Sequence, residues 1–238
     1  MPMHDWTRVD AGIFHDFHNS WITHLQERLN AGLLPSTFYA LGELRTDEIV
    51  SDMLTPSANE VQISQEALDD LEYYLSKQRT VVIHHATGDR VVALIEIVSP
   101  ANKHTQQTLE QFADKVIAAL HDGIHVLIID PFPPKANDPH GIHGYIWHRL
   151  LAGSYEAPRE QPLTLVSYAA GHPLRAYVEP LQVAADLAAM PLFLTRGHYI
   201  NVPLEETYLE TWAGVPGRWR RVIEGNAASA GSGDPRTT

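Results

Sequence analysis

The sequence contains no cysteine among its 238 residues. This absence excludes disulfide bonds, thiolate metal sites and cysteine nucleophiles, and it is typical of a protein from a reducing compartment. Long apolar runs are also missing, because mainly apolar stretches such as Val91 to Val98 are far shorter than the ~20 residues that span a bilayer. The opening residues, MPMHDWTRVD, lack the apolar segment of a signal peptide. We therefore expect a soluble cytoplasmic protein without a membrane partner.

Basic residues are scarce, since 17 lysines and arginines stand against 29 aspartates and glutamates, for a net charge of −12. Nucleic-acid binding depends mainly on the neutralisation of phosphates, so this balance weakens the expectation of a nucleic-acid partner without excluding a local basic patch. The nucleotide-binding patterns GxGxxG and GxxxxGK[ST] are absent. A nucleotide-binding domain of either common type is therefore not expected.

The length fits a single domain, because a chain of this size buries about 70% of its unfolded surface and needs no further stabilisation. We predict one α/β domain over residues 1–225. The last residues, NAASAGSGDPRTT, are of low complexity and predict a disordered tail over 226–238. Self-association through apolar surfaces is compatible with this composition.

Apolar periodicity predicts a mixed α/β fold. Steps of three and four predict helices at 13–30, 105–121, 144–151 and 204–222, with a further helix beginning at Ser64. Runs of β-branched residues predict strands at 37–45, 48–54, 80–85, 90–98, 125–129, 163–169 and 175–178. The order of strand 90–98, helix 105–121 and strand 125–129 is that of a βαβ crossover, which requires two parallel strands. The prediction is a mixed sheet built round this crossover and flanked by helices.

One acid interrupts the most apolar predicted strand. Glu96 lies among aliphatic residues that occupy both faces of strand 90–98. A carboxylate in a central strand is costly in free energy unless it is protonated, paired or bound to a metal. The strand leads into Ser99-Pro-Ala-Asn-Lys103, Asp130 ends the parallel neighbour, and Lys115 lies on the helix between them. Because open α/β sheets bind ligands at the carboxyl ends of their strands, Glu96 is the first candidate functional residue.

Asp52, on the predicted strand 48–54, supplies a second carboxylate. Two carboxylates from different strands can hold Mg²⁺ through oxygen ligands, while a lysine contacts the attacking water or the scissile phosphate. This set is what hydrolysis of a phosphodiester requires. The alternative is a structural role, in which Glu96 is paired with an arginine, a histidine or a backbone amide.

Two groups of histidines are weaker candidates. His15 and His18 are three residues apart on the first predicted helix and are compatible with a divalent metal, although their aromatic neighbours favour hydrogen bonds at the edge of the core. Asp138, His140 and His143 lie in a loop rich in proline, glycine and histidine. They are compatible with a weak metal site or with a solvated loop.

The run Val92-Ala-Leu-Ile-Glu-Ile-Val-Ser-Pro-Ala-Asn-Lys103 resembles the signature of domain-of-unknown-function family 4058. The resemblance extends over most of residues 1–130, and more diffusely to about 224, through the helix with Lys115, the strand Gly-Ile-His-Val-Leu-Ile-Ile-Asp130 and the opening Phe-His-Asp-Phe-His18. The Glu-hydrophobic-x-Ser-Pro element, followed by a helix and a strand ending in Asp-Pro, is also similar to the Uma-type endonucleases. Those proteins belong to the PD-(D/E)XK nuclease superfamily.

This resemblance implies a restriction-endonuclease-like fold and a magnesium-dependent phosphodiesterase or nuclease activity. It implies that Asp52 matches the first aspartate of the superfamily and that Glu96 matches its second acid. Glu27, on the first predicted helix, matches the acid that often lies there. All three would be metal ligands.

The superfamily lysine lies two residues after the second acid, where this chain has Val98. Lys103 or Lys115 is therefore expected to replace it as the catalytic cation. The alternative function is a non-catalytic binding or self-association module on the same scaffold.

Overall fold

The computed structural model describes residues 3–44 and 77–225 of the chain. Within them the helices are α1 (Ala11–Arg28), α2 (Gln106–His121), α3 (Gly141–Leu151), α4 (Leu204–Gly214) and α5 (Gly217–Ile223). The strands are β1 (Phe38–Leu44), β2 (Arg79–His85), β3 (Arg90–Ile97), β4 (His125–Asp130), β5 (Leu163–Ala169), β6 (Arg175–Leu181), β7 (Met190–Thr195) and β8 (His198–Val202). The predicted strand 48–54, the predicted helix from Ser64 and the predicted tail 226–238 lie outside the described residues.

Six of the described strands form one mixed sheet in the order β1-β2-β3-β4-β5-β6, and β7 and β8 form a separate antiparallel pair. Strands β3 and β4 are parallel, with Glu96 opposite Ile128. The other neighbours in the large sheet are antiparallel. Because α2 connects the parallel pair, the predicted βαβ crossover and the mixed α/β fold are confirmed.

Helices cover both faces of this sheet. Successive side chains of a strand point to opposite faces, so β3 contributes Ile95 and Ile97 to one core and Leu94 to the other. The first core contains α1, α4 and the β7–β8 pair, and the second contains α2 and α3. The side chain of Glu96 therefore faces the layer that contains α2. Among the described helices, none combines the length and apolar character that crossing a bilayer requires.

The predicted helix over 204–222 is wrong as a single element. Helix α4 ends at Gly214, the backbone is extended at Val215 and Pro216, and α5 begins at Gly217. A proline disfavours helical geometry in the residue before it and cannot donate a helical hydrogen bond, so the sequence breaks the helix here.

The β7–β8 hairpin was not predicted, and it packs over the large sheet. Its sequence signal is a pair of apolar runs separated by the turn that contains Arg196 and Gly197.

Candidate functional site

The candidate site lies at the carboxyl end of β3. After β3 the chain forms a 3-10 turn, Pro100–Lys103, before α2 begins. Leu44 and Lys77 are the described residues on either side of the undescribed range 45–76. Both lie near this end of β3, because Leu44 pairs with Arg79 in β2. The predicted ligand Asp52 falls between them, outside the described residues.

Glu96 is buried, with 1% of its surface exposed. The hydroxyl of Thr80, in the neighbouring strand β2, donates to both carboxylate oxygens at 3.2 and 3.1 Å. The ammonium of Lys115, from α2, donates to Oε2 at 3.0 Å. The carboxylate is therefore satisfied by one hydroxyl and one cation, which offsets the cost of burying its charge.

Lys115 is the more accessible partner of this pair, because 16% of its side chain is exposed against 1% for Glu96. The ammonium also lies 5.3 Å from the centre of the Phe112 ring, one turn earlier on α2. A ligand that approaches the pair from solvent would therefore meet the side chain of Lys115 before the carboxylate of Glu96.

Lys103 does not join Glu96. Its fully buried ammonium lies 2.9 Å from Oδ2 of Asp130 and 2.8 Å from Oδ2 of Asp138, and it donates to the carbonyl oxygen of Phe132 at 3.0 Å. Of the two candidate lysines, only Lys115 is brought to the strand acid. Lys103 instead anchors the loop after β4.

This buried cluster contains two carboxylates, those of Asp130 and Asp138, and one ammonium, that of Lys103. Burial raises the pKa of Asp130, and the nearby Lys103 only partly opposes that effect. Burial alone would lower the pKa of Lys103, but the attraction of Asp130 and Asp138 outweighs it and raises the pKa above its usual value. The lysine therefore stays charged at neutral pH.

The described residues do not assemble the full predicted metal site. Glu27 is exposed on α1, on the side opposite the buried Trp21 and Leu25. Within residues 3–44 and 77–225, no group of three acids or histidines could hold a metal ion. Glu96 is thus the one predicted magnesium ligand that the described structure places at the end of β3, and it does not form a metal site by itself.

The α1 histidines have separate partners. His18 is buried, and its Nε2 lies 3.2 Å from the carbonyl oxygen of Ile97, the residue after Glu96. Burial lowers the pKa of His18 to about 4, and the nearby charges of His15 and Lys115 add to the shift. His15 accepts a hydrogen bond from Asn19 at 2.9 Å. The predicted hydrogen-bonding role at the edge of the core describes His18 well.

Asp138 and His143 have separate partners, and His143 lies in α3 and not in the predicted loop. Asp138 is paired with Lys103, whereas Nδ1 of His143 lies 2.6 Å from the hydroxyl oxygen of Tyr168. The metal site considered for this loop is therefore not formed by these two side chains.

Thr80 was not predicted as the partner of Glu96. A regular β2–β3 hairpin would allow the residue opposite Glu96 to be found by counting from the turn. A bulge between Ile83 and His84 shifts the pairing by one residue, so this counting fails. Asp138 was missed as a partner of Lys103 because the two are 35 residues apart in the chain and no local pattern links them.

Comparison with known proteins finds no relative: the chain matches no family model, and neither a curated protein nor a solved structure matches it.

Proposed function

We propose that the chain is a divergent phosphodiester hydrolase of the PD-(D/E)XK type in which Glu96 and Lys115 form the catalytic pair. The observation that carries the proposal is the 3.0 Å contact between their charged groups at the carboxyl end of β3. An acid and a lysine at this position are what the resemblance to Uma-type endonucleases implies. In this proposal Lys115, and not Lys103, replaces the lysine missing at Val98.

Each side chain of the pair has a distinct task. An ammonium has three N–H donors, and Glu96 accepts one of them. A further donor of Lys115 would contact an oxygen of the scissile phosphate and stabilise the negative charge that grows there in the transition state. The Thr80 hydroxyl holds the carboxylate of Glu96 in place, and Glu96 in turn orients the ammonium.

Magnesium remains part of the proposal through the resemblance alone. Glu96 offers one carboxylate, and the described residues contain no group of three acids or histidines around it. Mg²⁺ prefers six oxygen ligands and keeps several waters, so at least one more protein oxygen is required. Asp52 stays as the predicted additional ligand, whereas Glu27 is exposed on α1, on the other side of the sheet from the layer that Glu96 faces.

The test is cleavage of fluorescent RNA and DNA oligonucleotides by the full chain in Mg²⁺ or Mn²⁺. We expect the wild-type protein to cleave, and we expect Glu96→Gln and Lys115→Met to lower the rate by about 100-fold or more, the usual effect of removing one donor at a reacting oxyanion. Asp114→Asn, which alters an exposed acid one residue before Lys115, is the matched control and should cleave like the wild type. The absence of cleavage by the wild type, or equal rates in all four proteins, would refute the proposal.

A second candidate function is a non-catalytic binding or self-association module. The observation that favours it is the complete pairing of Glu96 by Thr80 and Lys115, which is what a structural ion pair would show. This alternative predicts that Lys115→Met lowers stability while no oligonucleotide is cleaved by any variant. Sedimentation of the wild type at increasing concentration would then detect self-association.

A further inference from the structure

Strand β6 is an open edge of the large sheet. The strand order ends at β6, and among the described strands β5 is its only neighbour. Exposed and half-buried residues alternate along β6 as far as Leu181, which is buried in the first core. An edge strand carries unpaired backbone N–H and C=O groups with which another strand can pair. A partner strand for β6 must therefore fit both this backbone and the side chains beside it.

The position of Pro180 shows which backbone groups of β6 face the open side. Proline has no N–H, and within an edge strand it occurs where that position faces away from the neighbouring strand. Pro180 stands opposite Thr164 of β5, so its backbone faces outward. Alternate residues of a strand direct their backbone groups to the same side, so Ala176 and Val178 also face outward. Each of these two residues offers one donor and one acceptor to a further strand.

The exposed side chains of β6 form a symmetric charge pattern. Arg175 and Glu179 lie two residues before and two residues after Tyr177, and all three project from the same face of the sheet. The β7–β8 hairpin packs on that face, since the ring centres of Tyr177 and Phe193 are 5.3 Å apart. Within the part of the chain that the structure describes, no ion pair involves Arg175 or Glu179. A cation and an anion thus stand exposed at equal distances from one tyrosine.

A second copy of β6 fits these groups in one antiparallel register. When a two-fold axis passes through the pair at Tyr177, Arg175 of each copy lies opposite Glu179 of the other. Ala176 and Val178 of one copy then exchange backbone hydrogen bonds with Val178 and Ala176 of the other. Side chains directly opposite each other in an antiparallel pair have Cβ atoms about 4.5–5.5 Å apart, so the opposite charges attract. A shift of the register in either direction separates these charges.

Exposed apolar side chains lie beside the same edge. Tyr177 is 42% exposed, Val183, just after β6, is 44% exposed, and Tyr199, which packs on the other side of Phe193, is 54% exposed. In the symmetric register Tyr177 meets its own copy, and aromatic cross-strand pairs are favourable. Charges and a proline on an edge strand discourage pairing with unrelated strands. In β6 they leave one fitting partner, because the charges match only a strand of the same sequence in this register.

We propose that the protein forms a symmetric dimer through β6, in which the large sheets of two copies join into one continuous sheet. The interface is isologous, since the same patch of each copy contacts the other. Strands β4 and β5 separate β6 from β3 in the sheet. The dimer is therefore independent of the Glu96–Lys115 pair and goes beyond the proposed hydrolase.

Analytical ultracentrifugation of the full chain measures the dissociation constant of this dimer. We expect the fraction of wild-type dimer to rise with concentration. Arg175→Glu and Glu179→Arg each place like charges opposite one another at both symmetric positions, so each should raise the dissociation constant by about tenfold or more. The double variant Arg175→Glu/Glu179→Arg again sets opposite charges face to face and should dimerise like the wild type.

A mixture of the two single variants gives a further test. Arg175→Glu leaves two acids on its edge and Glu179→Arg leaves two bases, so an equimolar mixture should form heterodimers while each variant alone stays largely monomeric. Heterodimers also show that both variants are folded. In hydrogen exchange, the backbone amides of Ala176 and Val178 should exchange more slowly as the concentration of wild-type protein rises.

Controls separate this register from general electrostatic repulsion. The net charge is −12, and Glu179→Arg makes it less negative, so general repulsion would predict stronger dimerisation where the register predicts weaker. Arg90→Glu, at the exposed start of β3, and Glu210→Arg, on the exposed side of α4, make the same charge changes away from β6. Both should dimerise like the wild type.

Three outcomes would overturn the inference. They are a wild-type protein that stays monomeric at the highest concentration at which it is soluble, single variants that dimerise as tightly as the wild type, and a double variant that dimerises no better than the single ones. Because sedimentation requires no substrate, each outcome is obtained whether or not the chain cleaves an oligonucleotide.

Discussion

At the scale of single residues, the hydroxyl of Thr80 holds the carboxylate on which the proposed function depends. It donates to both oxygens of Glu96 inside the sheet. Thr80→Val keeps the shape and removes the donor, so we expect a loss of about 1–3 kcal/mol of unfolding free energy. Thr80→Ser keeps the hydroxyl and should lose less. Urea unfolding measures both, and equal losses for valine and serine would contradict the assigned role.

Lys103 illustrates a charge whose role is structural. Lys103→Met leaves Asp130 and Asp138 buried without their cation, and removal of one partner from a buried ion pair costs about 3–5 kcal/mol. Arg149→Met breaks an exposed pair with Asp114 and should cost less than about 1 kcal/mol. The comparison is made by urea unfolding of both variants. Similar small losses in the two would show that the buried cluster does not stabilise the loop after β4.

Both lysines were candidates from the sequence, and no pattern in the sequence distinguishes their roles. Lys115 lies one residue before Val116, which is on the buried face of α2, so helical periodicity places it at the margin of that face. Lys103 lies nearer to Glu96 in the chain, but its partner Asp138 comes from an irregular loop. Such long-range contacts leave no local pattern in a sequence.

At the scale of elements, the turn that ends α1 depends on Gly32, whose φ of +107° suits glycine and strains other residues. Gly32→Ala should lower the unfolding free energy by about 1–2 kcal/mol. Gly214→Ala is the matched control, because Gly214 ends α4 in open space without a positive φ. Thermal unfolding should show a loss of stability for Gly32→Ala and none for Gly214→Ala. Unchanged stability in Gly32→Ala would contradict the positive φ assigned to Gly32 at the end of α1.

The crossover was predictable because its signals are local. Strand β3 is apolar on both faces, and α2 has a regular apolar stripe of the length that a parallel connection needs. The β7–β8 hairpin escaped prediction because Pro191 argues against a strand, yet its carbonyl oxygen accepts a hydrogen bond from Ser167 in β5. Tertiary contact with the large sheet thus outweighs the local preference there.

At the scale of the whole molecule, three buried histidines make the fold sensitive to acid. Burial lowers the pKa of His4, His18 and His143 to about 4 in the folded protein. In the unfolded chain these groups take up protons near pH 6.5. The unfolded state therefore binds more protons between pH 6.5 and 4, and stability is expected to fall as the pH falls through that window.

His143→Asn tests this dependence while leaving an amide to contact Tyr168. Removal of one such histidine should lower the slope of unfolding free energy against pH by up to about 1.4 kcal/mol per pH unit between pH 4 and 6.5. Gln111→Asn, at an exposed position of α2, changes no titratable group and should leave the slope unchanged. An identical slope in His143→Asn and the wild type would contradict the account.

The absence of cysteine permits a direct test of the proposed catalytic ammonium. Lys115→Cys introduces the only thiol of the chain, and bromoethylamine converts that thiol into a side chain with an ammonium at the position of the lysine. The measurement is the single-turnover rate of oligonucleotide cleavage before and after this treatment. If the Lys115 ammonium acts in catalysis, Lys115→Cys is inactive and aminoethylation restores most of the wild-type rate. Full activity in untreated Lys115→Cys, or no recovery after aminoethylation, would contradict this role.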